Sequence, residues 1–316
     1  MDLQPTSLLA ETSSTADEPR RTTVNGIDIA YETFGDPSQP PLLLVMGLGA
    51  QMLAWPEDLC QQLADAGHHV IRFDNRDVGL STHFRDVAPP RLRDVLLRRR
   101  RPPYTIEDMA DDAVGLLDEL GIERAHVVGA SMGGFIAQTM ALRHHDRVRS
   151  LTLIMTSTGS RRVGRPSWKV MLGFLRRRPA VDREAAVNTT IETFRVIGSA
   201  GYALDEEHLR EVAGRSYDRG YDPEGYLRQV WAILVQRNRT KDLSQITLPT
   251  LVVHGLHDPL VSASGGLAIA RAIPAATFVG FAGMGHDLPR QLWPDIARQI
   301  LALSATADGK VLTSHR

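Results

Sequence analysis

The sequence predicts an α/β fold: a mostly parallel, eight-stranded sheet covered by helices, with a helical cap inserted late in the chain. Three observations carry this. Short apolar runs recur along the chain with helix-length segments between them, the mark of a parallel sheet buried on both faces. A β-hairpin precedes them. Residues 157–246 break the rhythm with helical patterns and no convincing strand.

The hairpin comes first. Thr22-Thr23-Val24 and Ile27-Asp28-Ile29-Ala30-Tyr31-Glu32 flank Asn25-Gly26, which supplies the positive φ values of a tight turn. The buried strands follow at 42–46, 69–73, 125–128, 151–155, 250–253 and 276–279. Between them, residues 106–120 repeat apolar side chains at helical spacing, with acids on the other face and Gly121 as a stop. Residues 57–66 and 291–303 read likewise. The expected division is a core of 20–156 and 247–303, a cap of 157–246, and mobile tails at 1–19 and 304–316.

Composition narrows the partners. With 316 residues, 43% of them apolar, the chain has material for one large core with a lid. A net charge of -1 gives no global reason to expect nucleic acid. Cys60 is the only cysteine, so no intrachain disulfide forms, which fits a reducing compartment. Leu8-Leu9-Ala10 is too short for a signal-peptide core, and no apolar run has the length of a membrane span. The expected location is the cytoplasm, with peripheral membrane contact open.

The chemistry centres on Gly129-Ala130-Ser131-Met132-Gly133-Gly134, which follows one strand and opens a helix. Strand, sharp turn and helix make a nucleophile elbow. Gly129 and Gly133 leave room for the turn, and Ser131 is lifted above the sheet. The Met132 N–H then lies at a helix N-terminus, where negative charge is favoured. A serine hydroxyl needs a base. His286, in Gly283-Met284-Gly285-His286 after the last strand, is the candidate. Asp258, in His254-Gly255-Leu256-His257-Asp258 after the 250–253 strand, completes the chain order Ser, Asp, His. The competing reading of His254, His257 and Asp258 as metal ligands lacks a second cluster, so no metal and no cofactor are expected. Gly47-Leu48-Gly49 after the 42–46 strand offers the Leu48 N–H as the second oxyanion donor. Met52, Leu53, Trp55, Trp168, Phe174, Phe194 and Trp231 are the expected lining of an apolar substrate pocket.

These residues resemble the serine α/β-hydrolase superfamily over about 20–303. Within it, the chain is similar to the branch of aclacinomycin methylesterase and actinobacterial esterases and lipases. The likeness runs through Leu44-Val45-Met46-Gly47, Trp55-Pro56, Ile71-Arg72-Phe73-Asp74, His126-Val127-Val128-Gly129, His144-His145-Asp146-Arg147 and Gly283-Met284-Gly285-His286. It implies Ser131, Asp258 and His286 as triad and the Leu48 and Met132 amides as oxyanion hole. It implies a structural role for Asp74–Ser81, with Arg76 and Asp77 holding loops beneath the site. One departure stands out: the superfamily usually has His-Gly before the oxyanion residue, and here Met46 replaces the histidine.

The expected function is hydrolysis of a hydrophobic carboxylic ester through an acyl-enzyme. The same machinery serves a thioesterase or phospholipid acyl hydrolase, a C–C bond hydrolase or a perhydrolase, and a pocket without turnover serves a ligand receptor. Charge is segregated. Residues 87–103 hold six arginines against one acid, and the cap holds sixteen Lys and Arg against eleven Asp and Glu. The bland reading is a solvated surface. The sharper one is contact of the Arg91–Arg101 edge with anionic lipid or an anionic substrate.

Overall fold

A computed structural model describes residues 19–89, 101–176 and 179–309. Eight strands form one sheet in the order β1-β2-β4-β3-β5-β6-β7-β8. They are β1 Arg20–Val24, β2 Ile27–Phe34, β3 Pro41–Val45, β4 His69–Phe73, β5 Ala125–Ala130, β6 Val148–Ile154, β7 Thr250–Gly255 and β8 Ala276–Phe281. β2 pairs antiparallel with β1 and β4; every later pairing is parallel. Asn25 and Gly26 take φ of 50° and 79°, which closes the hairpin.

Side chains alternate across the strands and so divide into two cores. Leu43, Val45, Val127 and Val252 pack on one face, with α2 (Ile106–Glu119) and α3 (Met132–Arg143). Leu42, Leu44, Val128 and Val253 pack on the other, with α1 (Glu57–Asp65). α2 starts on a capping box between Thr105 and Asp108.

Among the described residues, four α-helices lie between β6 and β7: α4 Trp168–Arg176, α5 Arg183–Ile197, α6 Glu206–Gly220 and α7 Pro223–Val235. α8 (Ser264–Ala272), which the apolar periodicity did not mark, joins β7 to β8. The final helix, α9 (Trp293–Ala307), corrects the expected tail boundary at 304. Ser304 is buried and bonded to His68 Nε2 at 2.9 Å, so the last turn is held against the core. Residues 1–18, Arg91–Arg100 and 310–316, with most of the two expected tails and the arginine edge, lie outside the described residues.

Parallel strands carry their C-terminal ends to one edge of the sheet. β3 lies between β4 and β5, so the chain leaves it in both directions. Such a switch point opens a crevice beyond the strand ends. The loops after β3, β5, β7 and β8 meet there.

Candidate active site

Ser131 sits between β5 and α3 with φ 55° and ψ -117°, a backbone conformation strained for a side chain with a Cβ. The turn is possible because its neighbours are glycines. A Cβ on Gly129 would lie 2.3 Å from the Gly133 carbonyl oxygen, and one on Gly133 would lie 2.0 Å from that of Val45. The turn is fixed at its backbone. The Ser131 N–H donates to Ile154 O at 3.0 Å, and Thr156 Oγ1 donates to Ser131 O at 2.8 Å.

The structure brings Ser131, His286 and Asp258 together. Ser131 Oγ is 3.0 Å from His286 Nε2, and His286 Nδ1 is 2.7 Å from Asp258 Oδ2. A carboxylate only accepts, so Nδ1 carries the proton and Nε2 of the neutral ring is free to accept from the serine. Asp258 is held in turn. Its Oδ1 accepts from the Leu260 and Val261 amides, each at 2.8 Å. His254 approaches the same carboxylate at 3.7 Å, but its Nε2 donates to Val261 O at 2.8 Å. Burial lowers the His254 pKa below the usual histidine value, which keeps it neutral beside the pair.

The loop after β3 packs against the serine. Gly47 lies so close to Ser131 that a Cβ there would touch the serine Cβ at 3.0 Å. Met132 is the first residue of α3, where no earlier turn supplies an acceptor for its N–H. Asn75 Nδ2 donates to Met46 O at 3.0 Å.

The cap supplies other braces that the sequence reading did not single out. Gln229 on α7 is fully buried. Its Oε1 accepts from the Gly49 N–H at 2.8 Å, and its Nε2 donates to Arg76 O at 2.8 Å. Gln51 Nε2 donates to Ser216 O at 2.7 Å on α6. Beneath lies a buried ion pair, Arg228 to Asp77, with contacts of 2.8 and 2.9 Å. Arg76 pairs with Asp112 at 2.6 and 2.7 Å. On the histidine side, the His286 N–H donates to Ile197 O at 2.7 Å, and Ser199 Oγ accepts from the Gly285 N–H at 2.9 Å while donating to Asp287. Burial raises the Asp287 pKa above the usual carboxylate value. Buried polar residues on the apolar helix α7, such as Arg228 and Gln229, were the available signal.

A cavity of about 280 Å³ opens between α5, α6 and the loops after β3 and β8. Ala50, Phe194, Leu209, Val212, Leu288 and Trp293 give it an apolar lining, and Gly49 and Asp287, the chain neighbours of Leu48 and His286, also line it. Of the seven expected lining residues, Phe194 alone is among those around this cavity. Met52, Leu53 and Trp55 turn inward and are at most 3% exposed, because the short helix Met52–Ala54 folds them under the loop. Trp231 is buried, Trp168 stands 71% exposed on α4, and the Phe174 side chain lies outside the described residues.

Known proteins share this architecture. The alpha/beta hydrolase fold family matches residues 40–289. The rhodomycin D methylesterase DauP of Streptomyces sp. (strain C5) is 28% identical over 91% of this chain and 98% of its own. The 3-oxoadipate enol-lactonase 2 of Acinetobacter baylyi is 25% identical over 81% and 85%. The solved enol-lactonase of Burkholderia xenovorans LB400 superposes with a TM-score of 0.70 at 24% identity, covering 90% of this chain and 99% of that one. The chain belongs to the alpha/beta hydrolase fold family and is a hydrolase.

Proposed function

We propose that the protein is a serine carboxylic ester hydrolase that works on an apolar ester through an acyl-enzyme. The observation that carries this reading is the continuous path from Ser131 Oγ to His286 Nε2, at 3.0 Å, and from His286 Nδ1 to Asp258 Oδ2, at 2.7 Å. Ser131 Oγ attacks the ester carbonyl while His286 takes its proton. The carbonyl oxygen becomes an oxyanion and is held by the Leu48 and Met132 amides. Asp258 stabilises the imidazolium. The C–O bond to the alcohol breaks as His286 returns the proton to the leaving oxygen. Water, deprotonated by the same histidine, then attacks the acyl-serine and releases the acid.

Two further facts support an ester and an apolar one. The Streptomyces relative is named a methylesterase. The cavity lined by Gly49 and Asp287, the chain neighbours of Leu48 and His286, is walled mainly by aliphatic and aromatic side chains.

The test is Ser131→Ala. Hydrolysis of p-nitrophenyl acyl esters is expected to fall by roughly 10⁴-fold or more, down to the residual rate left by binding and the oxyanion donors. A fluorophosphonate probe is expected to label the native chain and not the variant. Undiminished turnover in the variant would remove Ser131 from the mechanism. A ladder of acyl chain lengths then measures the cavity.

A further inference from the structure

The cap opens on a stretch with one sign of charge. From Ser160 to Val181 the sequence holds seven Lys or Arg residues and no Asp or Glu. Within it, α4 lies on the surface. Among residues 168–173 only Val170 is buried. Trp168, Met171 and Leu172 are 71%, 51% and 37% exposed. Their spacing of three and four residues puts them on one helical face. Lys169 Nζ lies 6.0 Å from the centre of the Trp168 ring.

Among the described residues, the cations on and just before this helix lack acidic partners, although Arg165 Nε donates to Arg161 O at 2.7 Å. Arg161, Arg162, Arg165 and Lys169 are exposed, and among the described residues none of them pairs with a carboxylate. Elsewhere on the cap, exposed arginines do pair: Arg183 with Asp218 at 2.9 Å and Arg195 with Glu206 at 2.7 Å. α4 is also anchored. The Ser167 N–H donates to Pro259 O at 2.8 Å, and the Gly164 N–H donates to Ser264 Oγ at 2.9 Å. The exposed face is therefore tied to the loop that carries Asp258.

We propose that α4 is a docking surface for an anionic lipid bilayer. Trp168, Met171 and Leu172 enter the boundary between headgroups and acyl chains. Arg161, Arg162, Arg165 and Lys169 meet the negative headgroups. Both halves of the surface find a complement there: an apolar medium for three large side chains and negative charge for four cations. A second copy of the chain would set the same cations face to face across a two-fold axis. A nucleic acid would meet the cations and leave Met171 and Leu172 without an apolar medium. The inference is independent of the ester-hydrolase reading.

The chain carries its own reporter. Of its four tryptophans, Trp55, Trp231 and Trp293 are 1%, 2% and 7% exposed, so Trp168 is the one that a membrane newly covers. The full chain is titrated with vesicles of phosphatidylcholine containing phosphatidylglycerol, and with phosphatidylcholine alone. Tryptophan emission is expected to shift to the blue with the anionic vesicles only. Binding is expected to weaken at least tenfold between ~0.1 M and ~1 M salt, as the screening length shrinks from about 10 Å to about 3 Å. Trp168→Ser combined with Met171→Ser, read by co-sedimentation, and Arg165→Glu combined with Lys169→Glu are each expected to lower binding at least tenfold while hydrolysis without vesicles is unchanged. Equal binding to neutral and anionic vesicles, or binding to neither, overturns the proposal. So does tighter binding to an oligonucleotide than to the vesicles, or a dimer in solution that the Trp168→Ser, Met171→Ser variant abolishes.

Discussion

Gln229 joins two loops that are far apart in the chain. One amide group holds the Gly49 N–H on one side and the Arg76 carbonyl on the other, each at 2.8 Å. Gly49 directly follows Leu48, whose amide is the proposed oxyanion donor. Its φ of 66° and its closeness to Tyr226 leave no space for a side chain. A tilt of this loop moves the donor away from where charge develops, so the effect belongs to the transition state more than to substrate binding. Gln229→Leu keeps much of the volume and removes both hydrogen bonds. Its kcat is expected to fall by roughly tenfold to a hundredfold, with KM within a few-fold of the native value. Steady-state kinetics check this, with the rate of fluorophosphonate labelling as a second readout. A loss of thermal stability with kcat unchanged would make Gln229 structural only.

At the scale of elements, the elbow was legible because its constraints are local. A strand, two glycines at fixed offsets and a helix are written in consecutive residues, and the chain order of Asp258 and His286 follows from the sheet. Gly133→Ala is expected to break this unit, since the new Cβ would stand 2.0 Å from a backbone oxygen that cannot swing aside. A cost of about 3–5 kcal/mol corresponds, for 316 residues, to a fall of roughly 5–8 °C in Tm. Gly173→Ala is the contrast. It sits in α4 with nothing within 4 Å of the new atom, and is expected to be neutral or to stabilise by up to ~1 kcal/mol. Calorimetry on both variants decides. Other elements were hidden for physical reasons. α8 begins Ser264-Gly265-Gly266, which reads as a loop on helix propensity. The structure needs that glycine, because a Cβ on Gly266 would lie 2.5 Å from His254 Nδ1. The pocket was illegible because Met52, Leu53 and Trp55 look the same in sequence whether they face a ligand or the core. Which way they turn is set by packing with residues distant in the chain, and so are the cap braces at Gln229, Gln51 and Ser199.

The molecule as a whole stores pH sensitivity in its buried histidines. His126 lies in β5, the strand that ends at the elbow, and is 1% exposed. Its Nδ1 is 2.9 Å from Ser150 Oγ. Burial pushes its pKa down to about 4, although Asp308 pulls the other way. In the unfolded chain the same ring titrates near 6.5. Between these two values the unfolded chain binds the proton and the fold does not. Stability from this group is therefore complete above pH 6.5 and is lost as pH falls toward 4, at about 1.4 kcal/mol per pH unit and about 3 kcal/mol in all. His69 and His254, also lowered by burial, act with the same sign. Asp74, Asp112 and Asp287, raised by burial, act with the opposite sign as pH rises past the ordinary carboxylate range. The pH dependence of the native chain mixes these terms, so the decisive quantity is a difference. His126→Gln keeps a side chain able to hydrogen-bond Ser150 and removes the titration. Urea unfolding of both proteins at pH 7 and pH 4.5 is expected to show the native chain losing about 2–3 kcal/mol more than the variant over that interval. Parallel losses would mean that His126 takes up its proton as readily in the folded core as in the open chain.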